Sequence, residues 1–416
     1  GGQEPGGPGG GGHAMKMVPN PADGRIRVAH IITRLELGGA QLNTLYTCAH
    51  LPADRFELHL LAGAGGLLDS EAGRNGRFRL HLIPGLVRRI DPVRDLIAFV
   101  RIFRLLKRIR PAIVHTHSSK AGILGRWAAR LAGIRVRIHT YHGFGFHDGQ
   151  PRWLRRLLIW LERWTIRTTT HFLAVSRRTL RIGEEERVLD PERAECLPSG
   201  VEIDRLARIP RQHRRLIEEI QAEENCLLVG MVACLKPQKA PVDLVRMAAR
   251  VLLEVPEARF LLVGDGILRA EVADRICREG LQGRVHLLGW RREIPELIAG
   301  LDLLVLTSLW EGLPRVFAEA RAMGVPIAAT RVGGAEEAVV DGRSGILVEP
   351  GDVEGMARRV IHVLRDRDLR RRMAERAKEG LERFDIRSMV RRQEELYREL
   401  LEDRSLKDSP ALARAG

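Results

Sequence analysis

Glu311 and Glu319 stand with seven residues between them in LWEGLPRVFAEARAMG (309–324), on either side of a turn that opens a helical run. A carboxylate accepts pairs of hydroxyl donors, while the free N–H groups and dipole at a helix start attract anions. Pro314 suits the first helical turn because it has no amide to leave unpaired. The amides on offer are those of Gly312, Leu313, Arg315 and Val316. A basic cluster, Lys236 and Lys239, lies in GMVACLKPQKAPVDL (230–244), with Cys234 as a neutral thiol beside it. Three histidines crowd IHTYHGFGFHDGQ (138–150), although a histidine at a strand end is ordinarily a buried, hydrogen-bonded residue. Gly38 and Gly39 mark a strand-to-helix turn where a backbone can come close to a ligand, and Gly264 and Gly266 mark another.

These residues need rigid supports. Short apolar, β-branched runs alternate with helical patterns at 26–32, 57–62, 112–117, 136–142 and 171–176, then at 226–232, 258–264, 284–289, 301–307, 325–330 and 345–350. Near-continuous apolar strands alternating with helices predict parallel sheets covered on both faces. The rhythm breaks in LPSGVEIDRLARIPRQHRR (197–215), where Pro, Gly and charge interrupt it. The expected class is therefore α/β, with one doubly wound Rossmann-like domain over 25–200 and a second over 201–384. Their strand carboxyl ends face a shared cleft. A terminal helix is expected over 385–404, with Met389, Leu396 and Leu400 or Leu401 on a stripe that could pack on either domain. The Gly/Pro-rich leader 1–24 and the tail 405–416 are expected to be flexible.

From Arg25 onward the chain resembles the family-four glycosyltransferases, retaining enzymes of the GT-B fold. The resemblance rests on the two spaced glutamates, on GVPIAATRVGGAEEAVVDGRSGILVEPGD (324–352) and on HTHSSKAG (115–122), which agree in order. It implies that Glu311 contacts hydroxyls of a donor sugar and that Glu319 accepts hydrogen bonds from the nucleotide ribose. The amides of Gly312, Leu313, Arg315 and Val316 would face the donor phosphates. Lys239 aligns with the lysine that takes up charge on the departing phosphate. Cys234 stands where the family has an arginine, leaving Lys236 or Arg315 to supply that charge. Gly38 and Gly39 align with the loop that covers the phosphates, and His142 with the first-domain active-site histidine beside the sugar. For His139 and His147 the buried structural role is preferred. Gly264, Gly266, Trp290 and Arg291 fall in two loops around the base, with backbone groups near Trp290 and Arg291 meeting its edge. His115, His117 and 118–120 are expected to shape the acceptor side.

The 416 residues are 44% hydrophobic, enough for two domains with a core each. The net charge of +15 is held unevenly, since 88–181 carries 21 Lys and Arg against 4 Asp and Glu, an excess of +17. Such asymmetry points to an anionic partner, unless it is only a solvated Arg-rich surface. Within it, 151–167 sets Trp153, Leu157, Trp160, Leu161 and Trp164 at helical spacing among Arg152, Arg155, Arg156, Arg163 and Arg167. Trp and Arg on one helix suit a membrane headgroup layer, and the same stripe could instead pack into the first domain. No recognition-helix or aromatic-studded basic sheet pattern is present, so no nucleic-acid partner is expected. The five cysteines are scattered, without zinc or disulfide spacing, as suits a reducing cytoplasm. No run of 18 apolar residues spans a bilayer. No Asp-x-Asp stands in a cleft loop, so neither a metal nor a cofactor is expected, only a nucleotide-diphosphate sugar as donor.

The expected function is transfer of a sugar, in the first instance from a UDP-sugar, to a glycan or polyprenyl-diphosphate-linked acceptor during polysaccharide or glycoconjugate synthesis. It would take place in the cytoplasm or on the inner leaflet of the cytoplasmic membrane. A nucleotide-sugar epimerase and a non-catalytic nucleotide-sugar binding protein are the alternatives, the latter made credible by Cys234.

Overall fold

The computed structural model describes residues 24–403, so the leader 1–24, apart from Gly24, and the tail 405–416 lie outside the described residues. The first domain is built on β1 (Ile26–Arg34), β2 (Phe56–Gly63), β3 (Arg79–Ile83), β4 (Ile113–His117), β5 (Val136–Tyr141), β6 (His171–Ala174) and β7 (Ala194–Cys196). They form one parallel sheet in the order β3-β2-β1-β4-β5-β6-β7. The second domain uses β8 (Leu227–Val232), β9 (Ala258–Val263), β10 (Val285–Gly289), β11 (Leu303–Leu306), β12 (Ile327–Thr330) and β13 (Gly345–Val348). Its order, β10-β9-β8-β11-β12-β13, repeats the same winding. Central strands such as β9 and β11 are buried along their whole length, which is why they read as near-continuous apolar runs, whereas β5, equally buried, carries Arg137, His139 and Thr140 with their polar groups paired inside. The edge strands β3 and β7 carry no such run. Arg79 is exposed in β3, and all three residues of β7 are half-buried.

Strand order reverses between β1 and β4 in the first sheet and between β8 and β11 in the second, and ligands of doubly wound sheets bind at such switch points. The segments leaving those strands are 35–38, 118–119, 233–239 and 307–312. The architecture therefore brings the Gly38 turn, the Cys234–Lys239 loop and Glu311 to the two strand ends that face each other.

The helix Ile386–Glu402 returns to the first domain. Ile386, Met389, Val390, Leu396 and Tyr397 join the core formed by Val28, Ile32, Phe56 and Leu58. The two chain crossings between domains lie side by side, with Val201 N–H donating to Phe384 O at 2.8 Å and Ile386 N–H to Val201 O at 3.0 Å. Gly200 is required here, since a Cβ on it would stand 2.4 Å from the Ile386 Cα. On the other side of the first sheet a buried ion pair ties the helix Ser119–Leu131 to the helix Arg152–Ile166. Arg126 donates to Glu162 at 2.8 Å, and the Tyr141 hydroxyl donates to the same carboxylate at 3.1 Å.

Candidate functional site

Glu311 follows β11 by way of Thr307, whose hydroxyl donates to the carbonyls of Lys239 and Ala240 at 3.0 and 2.9 Å. This pins the loop after β8 against the loop after β11. Lys239 Nζ donates to Glu311 Oε1, and Gln238 Nε2 holds the Trp310 carbonyl at 2.9 Å. The two candidates for sugar and phosphate contact are thus joined in a nearly buried pair, with side chains 15% and 8% exposed. Ala240 adopts a left-handed φ of 42°, strain that residues without a glycine's freedom accept at functional turns. Lys236 is half-buried and makes no ion pair among the described residues. Burial, then the charges of Arg88 and Lys239, push its ammonium below its ordinary pKa. Arg88 comes from the first domain and was not singled out in the sequence. Cys234 is half-buried in the same loop.

The helix Arg315–Ala322 starts with Pro314 as its N-cap rather than inside its first turn, and no side chain caps it. Glu319 is buried on that helix, 3.4 Å from Arg315 Nε, which itself lacks a hydrogen-bond partner. Gly39 opens the first-domain helix Gly39–His50 opposite this side chain, where a Cβ would meet Arg315 Cβ at 3.2 Å. Gly38 is the uncapped N-cap of that helix.

The backbones of the two domains also meet closely. A Cβ on Gly312 would stand 2.1 Å from the His142 carbonyl oxygen, and one on Gly143 3.5 Å from Gly312 N. Nearby, His147 stacks on Trp310 with ring centroids 3.6 Å apart. Its Nδ1 has no partner, so His147 works by ring contact across the cleft rather than as the hydrogen-bonded core residue expected. Glu337 completes the closure. Its carboxylate accepts from Arg177 and Arg178 N–H at 3.1 and 3.0 Å, at the start of the helix Arg177–Glu185, where the helix dipole favours an anion. Glu337 lies within the motif 324–352, so the signal for it was present.

His142 is half-buried at the end of β5, and burial lowers its pKa to about 4, which keeps the ring neutral at pH 7. Its Nε2 pairs with His117 Nδ1 at 3.1 Å. His115, expected at the acceptor side, is instead fully buried between Thr140 and Tyr397. His139 is buried and paired with Thr116 at 2.9 Å, as its preferred reading has it. Beneath the helix Gly39–His50, a cavity of about 20 Å³ is lined by Asn43, His117, Thr140, His142 and Gln393 among others. Among the described residues, one group has metal-ligand spacing, His30, His115 and His117, with nitrogens within 4.8 Å of one another. Each of those nitrogens has a hydrogen-bond partner within the protein.

The Gly264 and Gly266 turn serves the loop after β8. Cβ atoms there would stand 2.0 Å from Ala233 O and 2.4 Å from Leu235 O. Trp290 is 42% exposed beside it. The Arg291 guanidinium is tied to Glu219 and Glu293, which raise its pKa, so only the backbone of this residue is open to a ligand. The helix Arg152–Ile166 buries Ile159, Glu162 and Thr165, whereas Trp153, Leu157, Trp160 and Trp164 are exposed. The Trp stripe therefore faces outward, although Trp164 also stacks on Trp127 with centroids 4.0 Å apart.

Residues 37–205 match the model of Glycosyltransferase Family 4, and residues 213–380 that of Glycosyl transferases group 1. The chain is 32% identical over 351 residues to the UDP-Gal:alpha-D-GlcNAc-diphosphoundecaprenol alpha-1,3-galactosyltransferase of Escherichia coli, covering 83% of this chain and 89% of that one. It is 30% identical to the N-acetyl-alpha-D-glucosaminyl L-malate synthase of Bacillus anthracis, over 75% and 81% of the two chains. Among solved structures, Anabaena HepE in complex with UDP-glucose superposes with a TM-score of 0.78 at 22% identity, over 90% of this chain and all of that one, which is a likeness of fold.

Proposed function

This chain belongs to glycosyltransferase family 4, and on that premise we propose that it moves a sugar from a UDP-linked donor to a diphosphate-lipid-linked glycan, with retention of anomeric configuration and without a metal ion. The observation that carries the reading is the meeting of Lys239, Glu311 and the Gly312–His142 contact at the facing switch points. The E. coli relative, matched over most of both chains, is named for UDP-galactose and a diphosphoundecaprenol acceptor, which supports those two classes of substrate.

Sugar hydroxyls would replace Lys239 on Glu311, and the freed ammonium would turn to the diphosphate. In the unliganded pair the two groups compensate each other, so no charge is left buried alone. The ribose would lie on Glu319, with the base edge against the backbone around Trp290 and Arg291. Phosphate charge would meet the uncapped start of the helix Arg315–Ala322 and the cations Lys236, Lys239, Arg88 and Arg315. A diphosphate met by cationic side chains rather than by carboxylates has its charge taken up without a divalent ion. Lys236 stands in for the arginine absent at Cys234, stabilising the departing UDP as negative charge grows on it.

The outward Trp stripe, flanked by the exposed Arg152, Arg156, Arg163 and Arg167, supports attachment to an anionic membrane surface where a lipid-linked acceptor would be found. No helix among the described residues is long and apolar enough to cross a membrane. Calorimetric titration with UDP, GDP and ADP tests the donor site. UDP should bind best, and Glu319→Ala should weaken it at least about 10-fold, the scale of a lost hydrogen bond to a charged group. Equal affinity for all three, unaltered in Glu319→Ala, would refute the assignment. Cys234 favours one second reading, a protein that binds nucleotide sugars without transfer, for which binding would occur with no nucleotide release on any acceptor.

A further inference from the structure

A continuous chain of hydrogen bonds runs through the core of the first domain and ends on His142. Thr140 Oγ1 pairs with His115 Nε2 at 2.7 Å, and His115 Nδ1 with the Tyr397 hydroxyl at 2.6 Å. That hydroxyl pairs with His30 Nε2 at 3.2 Å, and His30 Nδ1 with His117 Nε2 at 3.0 Å. His117 Nδ1 then reaches His142 Nε2 at 3.1 Å. His30, His115 and Tyr397 are fully buried, and His117 is 4% exposed.

Burial keeps the rings neutral, with His30 lowered to about 3 and His115 and His117 held well below the ordinary histidine range. Each ring then carries one proton, and a neutral imidazole donates from one nitrogen while it accepts at the other. With the Thr140 and Tyr397 hydroxyl protons, six protons serve these five bonds. The chain can therefore point toward Thr140, toward His142, or from both ends onto Tyr397, whose oxygen can accept twice, and the surplus proton shows on Thr140, His142 or Tyr397 accordingly. If the chain points toward Thr140, that hydroxyl proton is left in a site 6% exposed with no acceptor among the described residues, and if both halves point at Tyr397 its fully buried hydroxyl proton is stranded in the same way, each at the cost of a buried unpaired donor. If it points toward His142, every buried donor is paired and the surplus proton sits on Nδ1, which makes no hydrogen bond within the described residues and can meet an acceptor in the cleft.

On the transferase reading above, we propose that Thr140, His115, Tyr397, His30 and His117 are positioning residues that hold His142 in its Nδ1–H tautomer, so that the ring meets the donor sugar as a hydrogen-bond donor. Tyr397 belongs to the returning helix Ile386–Glu402, so that helix takes part in aligning the site as well as in closing the core.

The test is ¹⁵N NMR of histidine-labelled protein at pH 7, with His142 assigned by His142→Gln, beside the variants Tyr397→Phe and Thr140→Val. In the wild-type protein, His142 should show a protonated Nδ1 and an unprotonated Nε2. Either variant, cutting the chain without altering His142 or His117, should mix or reverse that pattern and lower kcat by about 10-fold, the order at which outer partners of a working histidine act. Should Tyr397→Phe fail to fold, Thr140→Val cuts the same chain at its terminal hydroxyl. A wild-type His142 protonated on Nε2, an unchanged pattern in a folded variant, or a stoichiometric metal ion on the purified protein would each overturn the proposal. The tautomer readout needs no turnover, so it stands or falls separately from the transferase assignment.

Discussion

Gly312→Ala should separate the two domains by a predictable amount. An ideal Cβ at this position lies 2.1 Å from the His142 carbonyl oxygen and 2.7 Å from its carbonyl carbon, whereas real Cβ atoms essentially never come within 3.0 Å of a heavy atom. Both partners are backbone, so neither can swing aside, and relief requires the loops to part by roughly 1 Å. Gly312 does not use a positive φ, so alanine is otherwise tolerated where it stands. The contact lies between domains and not within either core, so the melting temperature should hardly move. A misplacement of about 1 Å between a donor on Glu311 and a side chain on His142 can cost on the order of 10² in rate. The assay is acceptor-dependent nucleotide release, with Gly73→Ala as control, since its nearest neighbour is 3.9 Å away. Wild-type kcat/KM in Gly312→Ala would refute the claim that this closed contact is the working arrangement.

Lys236→Met should lower kcat by about 10², the loss seen when one donor to a developing negative charge is removed, with a smaller effect on UDP affinity; stopped-flow nucleotide release reads both. Glu162→Ala should cost about 3–5 kcal/mol in urea unfolding, because it strands the buried Arg126, and Arg126→Met with Glu162→Leu should recover most of the loss. Stability should also fall with acid. The unfolded chain takes up protons near pH 6.5 that folded His30, His59, His115, His117, His139 and His142 refuse, since burial lowers their pKa values, to about 3 for His30 and about 4 for His59 and His142. Stability from these groups is complete above pH 6.5 and is lost as pH falls toward 4, by up to about 1.4 kcal/mol per histidine per pH unit. All six lie in the first domain, so hydrogen exchange at pH 5.5 should show that domain opening before the second.

Most strands of the second domain could be read directly because β9, β11, β12 and β13 are buried along their whole length, and β8 and the half-buried edge strand β10 still carry apolar runs. β3 and β7 could not, since an edge strand needs no such run, and β7 is only Ala194–Cys196. Spacing and the surrounding motifs pick out Glu311, Glu319 and Lys239 as candidates. The ion pair between Lys239 and Glu311 was not, because 72 residues separate the partners. The same holds more strongly for the histidine chain. His115 and Tyr397 lie 282 positions apart, and Tyr397 sits beside the stripe of Met389 and Leu396 that periodicity picks out, with nothing local to mark its hydroxyl. His147 shows the reverse case, a residue whose type suggests hydrogen bonding but whose place opposite Trp310 makes it a stacking partner. The Trp helix needed structure to decide which face turned outward, since Ile159 and Thr165 rather than the tryptophans fill the inner side.

The most direct test of the account is to follow an isotopically labelled sugar from UDP-sugars to a polyprenyl-diphosphate-linked acceptor in anionic vesicles, with the anomeric configuration of the product read by NMR. Acceptor-dependent transfer of label with the donor's configuration kept, and its loss in Glu311→Gln, is the predicted result. Donor that binds but never yields its sugar, on this acceptor or on membrane extract, would contradict it.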